Sequence, residues 1–304
     1  NNNYMKKITI VGNFNFNDEQ KARLEALGEV KYLPHQTSAE EWSRVAQETD
    51  VICSDGFGLL DNLYNLKNVF VTYPYIELGY FDSKKLAANG VTIANTQGSN
   101  RDSIIEWVVF ITLSLFRKFP TMLNVTADIP LEFNPSLSGK SVLIVGKGSI
   151  GTKIGSICES LGMVVDFFIR GDNLLDKASK ADLIINCLNC NSTSKNLLDE
   201  KFFMSLKQGA YFISFVRLYT YDLDALIKSL DQNILAGAAI DCDPEKLGSV
   251  NNEFYQKILK HQKILATPHI ASITEQSKKN AAEIIVKNVE AYISGKPLNI
   301  IIKK

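Results

Sequence analysis

Short apolar or alternating runs recur through the first part of the chain, at residues 7–11, 29–33, 51–54, 69–73 and 91–94, with stretches of helical spacing between them at 18–27 and 40–46. A strand that is apolar at successive positions buries both of its faces. Such strands alternating with helices predict a parallel sheet covered on two sides. Ser38 and Glu41 have capping-box spacing, which predicts where the second helix begins.

The rhythm is interrupted by a long apolar helix expected over residues 102–117 and then resumes, with strands expected at 142–145, 164–169, 183–187, 211–215, 234–239 and 264–266. These six with intervening helical segments predict a second doubly wound sheet. The stretch 275–294 has a capping residue at Thr274, a helical period and a stop at Gly295, with Pro297 beyond it. It follows the second sheet and cannot extend it. The expected architecture is therefore α/β with two doubly wound parallel-sheet domains, one inserted in the other. The outer domain takes residues 1–99 and 273–304, the inserted one 100–272, with hinges near 98–100 and 271–274. Residues 120–139 carry three prolines and few periodic apolar positions, which fits either a mobile surface loop or an arm used in dimerisation.

Candidate chemistry begins at residues 141–155, SVLIVGKGSIGTKIG. Four apolar residues form a strand, and the run breaks at Gly146, Gly148 and Gly151 before helical spacing starts. In such a strand–turn–helix unit the first glycine permits the tight turn, the second lets a pyrophosphate approach the backbone, and the third lets helix pack on strand. The helix N-terminus at Ser149 and Ile150 then offers free N–H groups and the positive end of its dipole to phosphate.

Bulk properties narrow the partners. Lysine plus arginine balances aspartate plus glutamate at 33 each in 304 residues, which gives no field for nucleic acid or an anionic membrane and points to a small solute. No apolar run reaches transmembrane length, and the start NNNYMKKITI lacks a signal-peptide core, so a cytoplasmic protein is expected. The five cysteines are odd in number and lie in apolar segments, which fits reduced thiols. Cys187 and Cys190 lack the second Cys/His pair that a metal site would need, so no metal is expected.

Taken in order, the motifs resemble the D-isomer-specific 2-hydroxyacid dehydrogenase family over nearly the whole chain. Residues 95–106, NTQGSNRDSIIE, look like its hinge and the start of its inter-domain helix; 146–151 is similar to its phosphate loop; 181–198 to its nicotinamide-side strand and loop; 212–226, FISFVRLYTYDLDAL, to the segment with its catalytic arginine; and 237–241 and 267–271, TPHIA, complete the series. The resemblance implies a Rossmann dinucleotide-binding domain inserted in a split flavodoxin-like substrate domain. It further implies catalysis by Arg217 and His269, with Asp241 accepting from the nicotinamide carboxamide.

These residue types suit the chemistry. Reduction of a 2-keto acid needs a cation for the carboxylate and an acid for the carbonyl oxygen. An arginine is a planar, always charged fork, and a histidine changes charge near neutral pH. In the family a glutamate five positions after the aspartate supports the histidine. Lys246 stands there in this chain, beside the carboxylates Glu245 and Asp243, and a loop shorter by one residue makes Glu245 the expected partner. The chain departs from the family in two further places. Leu218, followed by Tyr219 and Tyr221, replaces the glycine after the arginine, and in the substrate loop, Tyr75, Ile76 and Glu77, the two flanking residues Tyr75 and Glu77 stand where glycines are expected. Glu77 would repel a carboxylate if turned inward, so it faces out or the substrate is unusual.

For the cofactor, Arg170 lies just past the second strand of the inserted domain, where it would meet a ribose 2′-phosphate. NADP is expected over NAD, with Asp172 as the ribose ligand if the turn is tighter. The expected function is an NAD(P)-dependent oxidoreductase acting on CH–OH, moving hydride between the nicotinamide and a small 2-hydroxy or 2-keto acid. It would resemble a glyoxylate/hydroxypyruvate reductase or a phosphoglycerate dehydrogenase and work as a homodimer, with water excluded by closure about the hinges. The alternative is a dinucleotide-binding sensor or partner-binding protein of the same fold with little turnover.

Overall fold

The computed structural model describes residues 5–74, 81–119, 134–242 and 251–302. Contacts divide the chain into two units, residues 1–100 with 274–304, and residues 101–273. The first opens with β1 (Lys6–Val11), α1 (Asp18–Glu25), β2 (Gly28–Leu33), α2 (Ala39–Glu48), β3 (Val51–Ser54), β4 (Phe70–Thr72), α3 (Ser83–Ala88) and β5 (Thr92–Ala94). The Ser38–Glu41 capping box is present at the start of α2, and a second, Asn17 with Gln20, starts α1.

The other unit comprises α4 (Arg101–Phe116), β6 (Ser141–Val145), α5 (Ser149–Ser160), β7 (Val164–Phe168), α6 (Leu174–Ala178), β8 (Leu183–Asn186), α7 (Glu200–Met204), β9 (Ala210–Ser214), α8 (Leu223–Asp231), β10 (Leu235–Asp241), α9 (Glu253–Leu259) and β11 (Ile264–Thr267). The chain then returns to the first unit with α10 (Glu275–Ile293) and β12 (Ile300–Ile302).

Two largely parallel six-stranded sheets result, as the apolar runs require. Their orders are β2-β1-β3-β4-β5-β12 and β7-β6-β8-β9-β10-β11. Both sheets are wound outward in two directions from their first strand, so each has a switch point beside that strand. In the second sheet this lies between β6 and β8. Burial on both faces is visible within β6, where Val142 and Ile144 join one cluster with α4 while Leu143 and Val145 join the cluster on the opposite face.

In the first unit a 3-10 helix at Leu60–Asn65, the helix α3 and the strand β12 lie outside the sequence reading. The helix α3 is only one and a half turns long, too short to show a period. The strand β12 has three residues and pairs antiparallel with β5, so it lacks the parallel rhythm of the others. Side chains explain why the returning segment docks here. The Arg23 guanidinium on α1 bonds both oxygens of Glu290, at 2.8 and 2.9 Å, and reaches Glu283 at 3.0 Å. Fully buried Asn288 donates to Thr72 Oγ1 at 3.0 Å and the Asn95 carbonyl at 2.9 Å, and accepts from Asn299 Nδ2 at 2.8 Å. One amide thus joins α10, β4 and both segments flanking the β5–β12 pair.

Candidate active site

The glycine turn follows β6 at the switch point of the second sheet, the place where open α/β sheets receive ligands. Gly146 has φ +114°, and a Cβ there would come within 2.7 Å of the Cys187 carbonyl oxygen. A Cβ on Gly151 would collide with the Gly146 carbonyl oxygen, so α5 closes on the turn only with hydrogen at that position. Gly148 differs: it is the N-cap of α5, and a Cβ there meets open space. Gly148 offers no side-chain cap to this helix start, so the N–H groups of Ser149, Ile150 and Gly151 can serve a ligand. The turn therefore fits a pyrophosphate, with two glycines demanded by the fold and one whose missing side chain leaves room.

That division gives a prediction. Gly151→Ala is expected to cost about 1–3 kcal/mol of stability because backbone must move, and Gly148→Ala to leave the melting temperature unchanged while weakening NADPH and NADH binding at least about tenfold. Thermal melts alongside cofactor fluorescence titrations separate the two. Loss of stability in the Gly148 variant would contradict it.

Beyond the turn, every sequence-predicted residue of this unit that the structure describes lies at the carboxyl edge of the same sheet. Arg217 follows β9 and precedes a short 3-10 turn, Leu218–Thr220. Asp241 ends β10, and His269 stands two residues past β11. Because β9, β10 and β11 are neighbours, the backbones bearing Arg217 and His269 are two strand spacings apart, roughly 10 Å. Long side chains close such a gap around a molecule of three or four carbons.

Asp241 is 5 % exposed and its carboxylate is heavily engaged. It accepts from Thr267 Oγ1, from Ile270 N at 2.9 Å and from Ala271 N at 2.8 Å. It braces the loop that carries His269, a role the sequence did not show because it depends on β10 lying beside β11. Of about four lone-pair sites on a carboxylate, one is left for a further donor. The brace has work to do, since His269 sits at φ +59°, a left-handed conformation that costs about 1–3 kcal/mol in a residue other than glycine. His269 Nδ1 is buried and has no hydrogen-bond partner among the described residues, so that atom awaits one. Glu245, its expected partner, and the substrate-loop residues Tyr75, Ile76 and Glu77 lie outside the described residues.

At the outer end of the dinucleotide path, Arg170 is exposed just past β7 and is steadied by a bond from Nη2 to Thr193 Oγ1 at 2.9 Å. Asp172 is committed elsewhere. The Ile169 N–H at 3.1 Å and Lys177 at 3.2 Å hold its carboxyl below the ordinary range.

Other candidates fall away from this edge. Burial pushes the Cys187 thiol upward, and none of the five cysteines forms a disulfide. His35, in the first unit, is engaged there: its Nε2 is 2.7 Å from Asp55 Oδ2 and its ring packs on Phe57. What sequence reasoning missed is a buried polar set beneath Arg217, made of Asn186, Ser214 and Thr220. Its only trace in the sequence is a polar residue closing each of two apolar runs.

The model of the D-isomer specific 2-hydroxyacid dehydrogenase NAD-binding domain matches residues 126–271. The chain is similar to D-3-phosphoglycerate dehydrogenase of Haemophilus influenzae, with 30% identity over 237 residues that cover 72% of this chain and 57% of the relative, so it spans little more than half of that protein. Among solved structures, a glyoxylate reductase from Paecilomyes thermophila superposes with a TM-score of 0.83 at 15% identity, covering 98% of both chains. An acyclic imino acid reductase in complex with NADPH and D-Arg gives 0.82 at 18% identity, covering 97% of this chain and 99% of the other. At such identities these two speak for the fold.

Proposed function

The chain belongs to the D-isomer-specific 2-hydroxyacid dehydrogenase family by the match over residues 126–271, and from that premise we propose an NAD(P)-dependent oxidoreductase that interconverts a small 2-keto acid and its 2-hydroxy acid. The observation that carries this reading is the occupancy of one sheet edge. A phosphate turn, an arginine, and a histidine loop braced by a buried carboxylate follow strands of the same sheet.

When bound, the nicotinamide supplies or accepts the hydride. The chain's own residues do the rest. The N–H groups at the start of α5 hold the pyrophosphate, and the remaining lone-pair site of Asp241 accepts from the carboxamide. Arg217 binds the substrate carboxylate as a two-pronged donor and polarises the carbonyl. His269 delivers a proton to the carbonyl oxygen while a carboxylate, assigned to Glu245, receives its Nδ1–H and stabilises the charged ring. In this scheme residues 100–272 serve the cofactor, and residues 1–99 with 273–304 serve the substrate through Tyr75, Ile76 and Glu77.

NADP is the preferred cofactor in this reading. Arg170 is free to meet a 2′-phosphate, whereas the Asp172 carboxylate is turned toward Ile169 and Lys177. We also assign a homodimer to the outer face of α4 and the turn that follows it, where Phe110, Leu113 and Phe119 are exposed near the edge strand β11. Five cysteines without a disulfide suit a cytoplasmic protein, and no helix among the described residues is long and apolar enough to cross a membrane.

The test is direct: the purified protein is mixed with NADPH or NADH and glyoxylate, hydroxypyruvate or pyruvate, and the absorbance of the reduced cofactor is followed. Consumption with a preference for NADPH is expected. Arg170→Ala should weaken NADPH binding by about 10- to 100-fold, the worth of one charge-assisted contact, and leave NADH unchanged. Binding without turnover across a broad panel would instead support the sensor.

A further inference from the structure

Three side chains with no exposed surface, Asn186, Ser214 and Thr220, meet beneath the turn that carries Arg217. Asn186 closes β8, Ser214 closes β9, and Thr220 ends the 3-10 turn after Arg217. The Asn186 amide donates from Nδ2 to Ser214 Oγ at 3.2 Å and to Thr220 Oγ1 at 2.9 Å. Its orientation is fixed by the third contact. Leu188 N–H can only donate, and it lies 3.2 Å from Asn186 Oδ1, so the NH2 end must face the two hydroxyls.

Donor logic then propagates. Each hydroxyl accepts from the amide and is left with its own proton to give. Ser214 Oγ lies 3.2 Å from the Val216 carbonyl, and Thr220 Oγ1 lies 3.2 Å from the Arg217 carbonyl. These are the carbonyls immediately before and immediately after the Arg217 nitrogen and Cα. One amide thus sets, through two hydroxyls, the peptide groups on both sides of Arg217. The backbone after β8 enters the same arrangement, since Asn196 N donates to the Tyr219 carbonyl at 2.9 Å and Leu198 N to the Thr220 carbonyl at 3.1 Å.

We propose that Asn186, acting through Ser214 and Thr220, is a positioning residue that fixes the direction in which Arg217 presents its guanidinium to the substrate carboxylate. The role rests on the reading of Arg217 given above. It explains how the chain keeps an ordered arginine turn with Leu218 in place of glycine. The turn is held from below by a polar clamp, which constrains the backbone on both sides of Arg217. A buried network of this kind specifies one geometry because every member is satisfied only in that geometry.

The test uses near-isosteric variants of the full chain. Thr220→Val removes the hydroxyl at constant volume and Thr220→Ser retains it; Asn186→Asp keeps the shape and removes the paired donor. Thr220→Val and Asn186→Asp are expected to raise KM for the 2-keto acid at least about tenfold while KM for NADPH stays within about twofold, and Thr220→Ser to behave as the parent. A purely structural role would lower the melting temperature and leave the keto-acid KM where it was; that result, or equal damage from Thr220→Ser, overturns the proposal. If the parent protein turns over no acid at all, the functional reading has failed and the clamp is read by hydrogen exchange. Amides in residues 215–221 should then exchange faster in Thr220→Val while those of β10 do not change, and unchanged exchange in 215–221 overturns the clamp.

Discussion

Replacing His269 with alanine is expected to lower turnover of the 2-keto acid by about 10²- to 10⁴-fold while NADPH binding is retained. The magnitude follows from the loss of a positioned proton donor. Retention of the cofactor follows from the separation of parts, since the phosphate turn lies at β6 and the histidine loop at β11. Asp241 sharpens the test. Its three bonds to Thr267, Ile270 and Ala271 hold the left-handed backbone of His269, so Asp241→Asn, which exchanges one acceptor oxygen for a donor, should misplace the ring. Asp241→Asn is therefore expected to approach the alanine variant in turnover and to fall below it in stability, because a buried donor would then face a backbone N–H. Single-turnover rates with prebound NADPH and thermal melts measure both. Undiminished turnover in His269→Ala would remove the histidine from the mechanism.

Arg217→Ala should reduce kcat/KM for the keto acid by about 10²- to 10⁴-fold. Two charge-assisted hydrogen bonds at about 1.5–3 kcal/mol each amount to about 3–6 kcal/mol, and each 1.4 kcal/mol is a factor of about ten. Arg217→Lys separates charge from shape. An ammonium supplies the charge but not the planar fork, so this variant should recover part of the loss and remain well below the parent. Steady-state kinetics at saturating NADPH read the effect. Equal activity of lysine and arginine would mean that the carboxylate is held by charge alone, and normal activity in the alanine variant would place the substrate elsewhere.

Much of the fold was legible because parallel strands covered on both sides leave uninterrupted apolar runs. Residues 51–54, 142–145 and 183–187 announced β3, β6 and β8 to within one residue. Capping residues marked the starts of α2 and α10, because a helix N-terminus needs a side-chain acceptor wherever it lies in the fold. The strand β12 left no such mark: three isoleucines after a turn are consistent with many conformations, and only the free edge of β5 selects a strand. Asn288 gave no signal either. A polar residue on a helix reads as solvent-facing until the helix is known to lie across β4 and β5.

The sequence by itself determined the alternation of strands and helices, the phosphate turn and the identity of the charged groups, since these depend on residues near one another in the chain. Tertiary structure alone decided what those groups do to each other. Asp241 became the brace of the His269 loop because β10 pairs with β11, and Asn186 came to lie beneath Arg217 because β8 pairs with β9. Hydrogen bonds act over about 3 Å, and residues separated by some thirty positions come within that distance only when the sheet puts their strands side by side.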